Sequence, residues 1–201
     1  MGGINIYLDI DGVLNRYGPV RRGRTGADPV DPDEDEWSAY TSAGGVLMWP
    51  PEMMARINRL LAAPEVTPYW LTTWESEAAV FGEQVGLEGS ADWTWLPSRG
   101  LSADGRWQKF ASIRDHVDQT DPIFAVWLDD DLAHESEARR WARRSGRVLA
   151  FAPEPMVGLR PSELARIEEL VAEALRTGRS PMAGRALRIP GGGRRRTARG
   201  D

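Results

Sequence analysis

Short, continuously apolar runs are the clearest pattern in the sequence. Four of them have the length of β-strands and end in polar or turn residues; they cover residues 4–8, 66–71, 123–128 and 147–151. A strand that is apolar on both faces is typical of a parallel sheet with helices on each side. These runs therefore predict four buried, parallel strands.

Helical patterns, with apolar residues three and four positions apart, alternate with these runs. They predict helices over residues 50–61, 75–85, 107–117, 134–144 and 161–176, the first and last of which have proline in their first turn. Strands that alternate with helices of this length imply right-handed crossover connections. The expected fold is an α/β, Rossmann-like, three-layer sandwich in which helices cover both faces of a parallel sheet.

Two stretches interrupt this alternation. Residues 16–45 are rich in glycine, proline and charge, and they are too long for an ordinary connection between a strand and a helix. We interpret them as an insertion that forms a small flap over the carboxyl edge of the sheet. Residues 179–201 offer little to bury, so a basic, disordered tail is expected there. The predicted organisation is one domain, residues 1–178, followed by this tail.

The composition narrows the class of protein. The chain of 201 residues has no cysteine and only two histidines, so a metal site must use oxygen ligands, which favours a hard cation such as Mg²⁺. No apolar run approaches the roughly 20 residues of a membrane-spanning helix, and no secretory signal is visible. We therefore expect a cytoplasmic protein that has no membrane partner.

The charge is distributed unevenly along the chain. Residues 179–201 have a net charge of +6, so the whole-chain charge of −5 leaves −11 for residues 1–178. An acidic body argues against a broad nucleic-acid-binding face. The basic tail could still make weak contact with nucleic-acid phosphates.

Two carboxylates lie where the first apolar run ends. Asp9 and Asp11 follow Leu8, and Gly12 then begins a turn. Because residues i and i+2 of an extended chain face the same side, both carboxylates can reach one ligand at the carboxyl edge of the sheet. A carboxylate nucleophile can form an aspartyl-phosphate, and a neighbouring acid can protonate the leaving oxygen and then activate water. The alternative interpretation is a strand that ends in a polar turn.

A second acidic group follows the third apolar run. Asp129, Asp130 and Asp131 are consecutive in the chain, and adjacent carboxylates repel one another unless a cation lies among them. Mg²⁺ held by Asp9, Asp129, a backbone carbonyl and water would relieve this repulsion and neutralise an incoming phosphate. The sequence leaves open whether Asp130 or Asp131 supports the metal.

Two further parts of the chain, a pair of threonines and a lysine, suit a phosphate site. Thr72 and Thr73 follow the second apolar run, where a hydroxyl group and the N-terminus of the next helix can hold a phosphoryl oxygen. Lys109 is the only lysine among 25 basic residues. In a chain that otherwise uses arginine, a lysine favours a compact point charge beside a phosphate. The alternative is a surface lysine without a special role.

These four groups, in chain order, resemble the motifs of the haloacid dehalogenase (HAD) superfamily over roughly residues 4–151. Each motif of that family has a match here: Asp9 and Asp11, then Thr72 or Thr73, then Lys109, and finally Asp129 with Asp130. The resemblance implies a Rossmann-like fold and hydrolytic chemistry at the carboxyl edge of the sheet.

The resemblance also implies a role for each matched residue. Asp9 would form a covalent aspartyl intermediate, Asp11 would act as the acid and base, and Mg²⁺ would be bound by Asp9, the Asp11 backbone oxygen and Asp129. Val13 departs from the pattern, because many members have threonine at that position. Members that cleave carbon–halogen bonds lack an acid at the position of Asp11, so the chain is similar to the phosphatases of the superfamily.

A narrower resemblance rests on the segments around these residues. They read Asp-Ile-Asp-Gly-Val-Leu-Asn from Asp9, Thr-Thr-Trp from Thr72, Trp-Gln-Lys up to Lys109, and Trp-Leu-Asp-Asp from Trp127. Together they are similar to the HAD domains associated with Swiss Army Knife RNA repair proteins. This similarity implies phosphorylated nucleic-acid ends as substrates.

The function that these residues favour is a Mg²⁺-dependent phosphomonoesterase acting on a phosphorylated small molecule or nucleic-acid end. One alternative is a phosphatase dedicated to RNA or DNA ends in nucleic-acid repair. Another is a HAD-fold module that binds a phosphorylated ligand without turnover. The presence of Asp11 weighs against a pure binding module, which has no need for an acid–base group. The sequence does not name the substrate, since cap segments determine specificity in this superfamily.

Overall fold

The computed structural model describes residues 2–17, 38–42 and 45–183, with residues 38–42 and 45–47 described by their backbone alone. Within this part of the chain the elements follow in the order β1 (Ile4–Leu8), β2 (Ser38–Ser42), β3 (Gly45–Trp49), α1 (Pro51–Leu61), β4 (Val66–Trp70), α2 (Ala78–Val85), α3 (Gln108–Thr120), β5 (Phe124–Leu128), α4 (Ser136–Ser145), β6 (Val148–Phe151) and α5 (Pro161–Thr177). Short 3₁₀ helices occur at Glu75–Glu77, Ser90–Asp92 and Asp130–Ala133.

The central sheet is parallel, and its strand order is β4-β1-β5-β6. Every residue of β1 and β5 is buried, as expected for strands covered on both faces. The two strands end in register, with Leu8 opposite Leu128. The four predicted strands and their parallel arrangement are confirmed.

Helices cover both faces of this sheet. On one face, Ile4, Ile6 and Leu8 of β1 pack in a cluster with apolar residues of α1, α2 and α5. Tyr7, which points the opposite way, packs in a second cluster with residues of α3 and α4. The predicted three-layer α/β sandwich is therefore confirmed.

Three helix boundaries depart from the predicted ones. The helix predicted over residues 75–85 begins as a 3₁₀ turn, because Glu75 has φ of 50° and lies outside the helical region; α2 starts only at Ala78. The helix predicted over residues 134–144 begins at Ser136, after the 3₁₀ turn that Asp129 caps. Helix α3 continues past its predicted end at residue 117, as far as Thr120.

The insertion predicted over residues 16–45 contains a hairpin that the sequence pattern did not predict. Strands β2 and β3 pair antiparallel, with Ser38 opposite Trp49, so ordered structure extends past residue 45. The backbone N–H of Met48 donates a 2.9 Å hydrogen bond to the side-chain oxygen of Asn15, which ties the hairpin to the carboxyl edge of the sheet. Residues 18–37 and 43–44 lie outside the described residues, so a flap function stays a prediction.

The C-terminal helix α5 ends at Gly178, which caps it in a left-handed conformation. The next residues continue against the body of the protein, where Met182 packs on the core. Residues 184–201 lie outside the described part, so the division into a domain and a disordered basic tail stays a prediction. No helix of the described residues is long and apolar enough to cross a membrane.

A partly buried polar network joins β1 to α3. The hydroxyl oxygen of Tyr7 accepts a 3.0 Å hydrogen bond from the Asn5 amide and lies 2.8 Å from Nδ1 of His116. The same Asn5 amide also donates to the hydroxyl of Thr120. Burial raises the pKa of Tyr7 and lowers the pKa of His116, so a protonated hydroxyl can donate to a neutral imidazole. This network therefore stabilises the contact between the two elements.

The variant Tyr7→Phe tests that role. It removes one hydroxyl group and leaves Asn5 and His116 without this partner, so the free energy of unfolding should fall by about 1–3 kcal/mol in urea denaturation. Tyr69→Phe is the matched control, because Tyr69 stacks on Tyr7 and its hydroxyl bonds no described residue. Equal losses in the two variants would contradict a stabilising network.

Candidate active site

The sheet brings two distant carboxylates together at its carboxyl edge. Asp9 is the first residue after β1 and Asp129 is the first residue after β5, and the backbone N–H of Asp9 donates to the carbonyl of Leu128 at 3.0 Å. Asp9 is 4% exposed and Asp129 is fully buried. Parallel pairing of β1 and β5 is thus sufficient to place these two side chains in one site.

Lys109, in the first turn of α3, lies between the two carboxylates. Its Nζ atom is 2.5 Å from Oδ2 of Asp9 and 3.0 Å from Oδ2 of Asp129, and the lysine is 1% exposed. The ring of Trp107 lies 5.6 Å from the same nitrogen. Burial alone would lower the pKa of Lys109, but the two carboxylates outweigh it and raise that pKa. Lys109 therefore provides a permanent positive charge inside the site.

One lysine does not neutralise the acidic groups around it. Carboxylate oxygens of Asp9, Asp129 and Asp130 all lie within 4.8 Å of one another. Burial raises the pKa of Asp9 against the opposing effect of Lys109, and burial together with Asp9 raises the pKa of Asp129. Burial and the charge of Asp9 also raise the pKa of Asp130 to about 6. Three buried or half-buried carboxyl groups therefore share one ammonium group, and burial opposes the charged form of each carboxyl group.

The donor set of this site suits a divalent cation. Three carboxylates face one ammonium group, so two further positive charges would neutralise the ionised site, and its oxygen ligands favour a hard ion such as Mg²⁺. Of the two acidic residues that follow Asp129, the geometry places Asp130 in this group of carboxylates. Asp131 is exposed, and its carboxylate lies 4.0 Å from Nζ of Lys109.

Gly12 makes the close approach of Asp130 possible. The glycine has φ of 71°, and a Cβ atom built on it would lie 2.3 Å from Cγ of Asp130. Both the backbone conformation and the space therefore require glycine at this position. The turn after β1 thus fixes the position of a carboxylate that follows β5.

The carboxylate of Asp11 is held apart from this group by two other residues. Asn15 donates to Oδ1 at 2.6 Å, and the indole N–H of Trp74 donates to Oδ2 at 2.8 Å. Asn15 is itself fixed by the backbone of Met48. The sequence analysis found Asp11 but did not identify either donor. Asn15 could have been recognised as a candidate, because it is a polar residue directly after the apolar pair Val13 and Leu14.

The two candidate phosphate-binding threonines have different environments. Thr72 is 1% exposed, and its hydroxyl lies near enough to the carboxylate of Asp9 to lower the pKa of that group, whereas Thr73 is exposed. The hydroxyl of Ser98 donates to the carbonyl of Thr72 at 2.5 Å, and Arg99 donates to the carbonyl of Thr73 at 2.7 Å. Both supporting residues lie in an irregular segment without a periodic pattern, so sequence analysis missed them.

A Rossmann-like sheet whose central strand ends in Asp-x-Asp, beside a buried lysine and a second acidic strand end, defines a HAD-type domain. The chain belongs to the family described as the HAD domain in Swiss Army Knife RNA repair proteins, whose model matches residues 5–164. That range extends from β1 into the first turn of α5 and includes every site residue described above. No curated protein matches the chain.

The variant Gly12→Ala tests the contact between the two strand ends. We expect a Cβ atom to displace Asp130 and to weaken Mg²⁺ binding roughly 10- to 100-fold in isothermal titration calorimetry, the usual effect of disturbing a residue that supports a metal ligand. Gly100→Ala is the matched control, because Gly100 has φ of 72° but open space around the Cβ position. Equal Mg²⁺ affinity in both variants would contradict this account of Gly12.

Proposed function

We propose that the protein is a Mg²⁺-dependent phosphomonoesterase that acts through an aspartyl-phosphate at Asp9. The observation that supports this most strongly is the buried group of Asp9, Lys109 and Asp129, in which Nζ lies within 3.0 Å of both carboxylates. A nucleophile and a positive charge meet there at one point, beside acids that favour a metal. If the group were only a structural ion pair, it would not need a third carboxylate, which Asp130 provides here.

The side chains of Asp9, Asp129 and Asp130 would hold the metal, together with the backbone oxygen of Asp11 that the family resemblance implies. Mg²⁺ bound there would neutralise charge on the phosphoryl oxygens during the transfer. Lys109 uses two of its three N–H donors on carboxylates, so the third is available for a phosphoryl oxygen. The buried hydroxyl of Thr72 is placed to hold another such oxygen.

The proposed reaction has two halves. A carboxylate oxygen of Asp9 attacks phosphorus and the bond from phosphorus to the ester oxygen breaks, while protonated Asp11 gives its proton to that oxygen, so that an alcohol leaves. Asp11 then takes a proton from a water molecule whose oxygen attacks phosphorus. The bond from phosphorus to Asp9 breaks, inorganic phosphate leaves, and both aspartates return to their starting forms.

Trp74 and Asn15 are positioning residues in this scheme. Each donates to a different oxygen of Asp11, so together they fix the direction of the carboxyl group. Since Asn15 also accepts from the backbone of Met48, a displacement of the β2–β3 hairpin would move the acid–base group. We propose on this basis that the insertion acts as a flap coupled to Asp11.

Family membership supports a role in RNA repair. It is compatible with nucleic-acid ends as substrates and also with a module that only binds a phosphorylated ligand. The second alternative is the weaker one, because two hydrogen bonds orient the carboxylate of Asp11. A module that only binds phosphate gains nothing from an oriented acid–base group.

The nucleophile is tested by Asp9→Asn. Turnover of an aryl phosphate with Mg²⁺ should be abolished while the circular dichroism spectrum is retained, because an amide does not attack phosphorus. Asp131→Asn is the matched control, since Asp131 is exposed and lies at the edge of the same charge cluster. Wild-type turnover in Asp9→Asn would remove the covalent mechanism.

The acid–base role is tested by the dependence of the rate on the leaving group. Asp11→Asn should slow turnover by roughly 10²- to 10⁴-fold, with a smaller effect on esters whose leaving groups need little protonation. Trp74→Phe removes one hydrogen bond to Asp11 and should show the same dependence with a loss of about tenfold. Trp93→Phe is its control, because the ring of Trp93 packs at a tilt against Trp70 and forms no hydrogen bond with Asp11. Equal losses for all leaving groups would indicate a structural role.

The metal is tested by a Mg²⁺ titration of activity. We expect no turnover in excess EDTA and a sharply higher Mg²⁺ requirement in Asp129→Ala, because this variant removes one buried ligand of the three carboxylates that meet here among the described residues. Full activity of the wild-type protein in excess EDTA would refute the metal model.

A further inference from the structure

A groove between α3 and α4 runs away from the active site. Each helix connects the carboxyl edge of the sheet to the amino edge of the next strand, so both begin beside the site and point away from it. Lys109 lies in the first turn of α3, and α4 begins shortly after the acidic group that follows β5. Phe110 on α3 and Trp141 on α4 meet with their ring centroids 5.7 Å apart. These rings form part of the floor of the groove.

The walls of this groove combine arginine with aromatic residues. It has a volume of about 460 Å³ and is lined on α3 by Phe110 and Arg114. On α4 its lining residues occur at i, i+1, i+4, i+5 and i+8, which places them on one face of the helix: Ser136, Glu137, Arg140, Trp141 and Arg144. A helix of this length provides a wall about 15 Å long.

The groove is positively charged in a body that is otherwise acidic. Arg140 and Arg144 are exposed and form no ion pair with any described residue. Glu137 lies 3.4 Å from Nε of Arg106, which compensates its charge. Arg114 approaches Asp115 and also lies over the ring of Phe110. Because residues 1–178 have a net charge of −11, this local excess of arginine differs from the charge of the rest of the body and favours an anionic ligand.

We propose that this groove binds a single-stranded nucleic acid whose phosphorylated end lies in the active site, a substrate class that rests on the proposed phosphomonoesterase function. Guanidinium groups at a four-residue spacing suit the phosphates of a strand, and a half-buried indole between them suits a base. Stacking on Trp141 requires an unpaired base, which favours a single strand over a duplex. Phe110, which lines the groove, directly follows Lys109 of the site in the first turn of α3, so a strand in the groove can extend to the site.

Binding is measured by fluorescence anisotropy with labelled RNA and DNA oligonucleotides of about ten nucleotides, a length within the range of single-strand sites. The full chain with Asp9→Asn is used, so that no turnover occurs. In this background Arg140→Ala with Arg144→Ala should weaken binding at least tenfold. The slope of log affinity against log salt should fall by about 1.4, for two lost phosphate contacts.

Two matched variants separate this groove from general electrostatics. Arg139→Ala with Arg143→Ala removes the same charge at the same spacing from the same helix, but outside the groove lining, and should leave the salt slope close to that of the parent. Arg140→Lys with Arg144→Lys keeps the charge and should retain most of the affinity. All variants contain the basic tail, so their differences report on the groove. Equal weakening in the two alanine pairs would overturn the proposal.

Activity separates this proposal from the function on which it rests. In the otherwise wild-type chain, Arg140→Ala with Arg144→Ala should lower kcat/KM for a phosphorylated oligonucleotide at least tenfold and leave an aryl phosphate unchanged. Hydrolysis of the aryl phosphate without arginine-dependent oligonucleotide binding would overturn the proposed role of the groove but not the phosphomonoesterase function. Arginine-dependent binding without hydrolysis of any phosphate ester would overturn the phosphomonoesterase function alone. If a polyglutamate peptide bound in an arginine-dependent way and neither oligonucleotide did, the proposal would be overturned, and the groove would be a binding site for an acidic protein.

Discussion

The site depends on three charged side chains that the fold holds out of water. Taking ions from water into a protein interior is costly, and the attraction of Lys109 to Asp9 and to Asp129 offsets this cost only while the lysine stays in contact with both. Removal of the lysine would leave two buried carboxylates without a positively charged partner. The structure meets this constraint with rigid elements: two central strands in register and the first turn of α3.

Other features of the site follow from this constraint. Since one ammonium group faces three carboxylates, the cluster has capacity for a divalent cation without any rearrangement of the strands. Asp11 lies outside the cluster, and Asn15 and Trp74 donate to its two oxygens, which fixes the group to which the proposed mechanism assigns proton transfer. Substrate contacts beyond the phosphate must then come from the rim. There, Met48 of the β2–β3 hairpin contacts Asn15, and the groove that we propose as a binding surface begins at Phe110, the residue after Lys109.

Strand ends are the part of this site that sequence analysis could predict. A buried parallel strand is visible as an apolar run, so the positions of Asp9, Thr72 and Asp129 follow from where the runs stop. Contacts made by irregular backbone could not be predicted in this way. Trp74 reaches Asp11 because the chain enters a 3₁₀ turn at Glu75. Strand β2 reads Ser-Ala-Tyr-Thr-Ser and has no apolar run by which a buried strand is recognised, so its pairing with the apolar strand β3 was not predicted.

The covalent intermediate at Asp9 is the central claim, and mass spectrometry tests it most directly. Wild-type protein is mixed with an aryl phosphate and Mg²⁺, quenched with acid within the first turnover, digested and analysed. The account predicts the added mass of one phosphoryl group on the peptide that contains Asp9, which appears before free phosphate accumulates and disappears as the substrate is exhausted. Turnover that proceeds with no phosphoryl group on that peptide, or with the group on another residue, would contradict it.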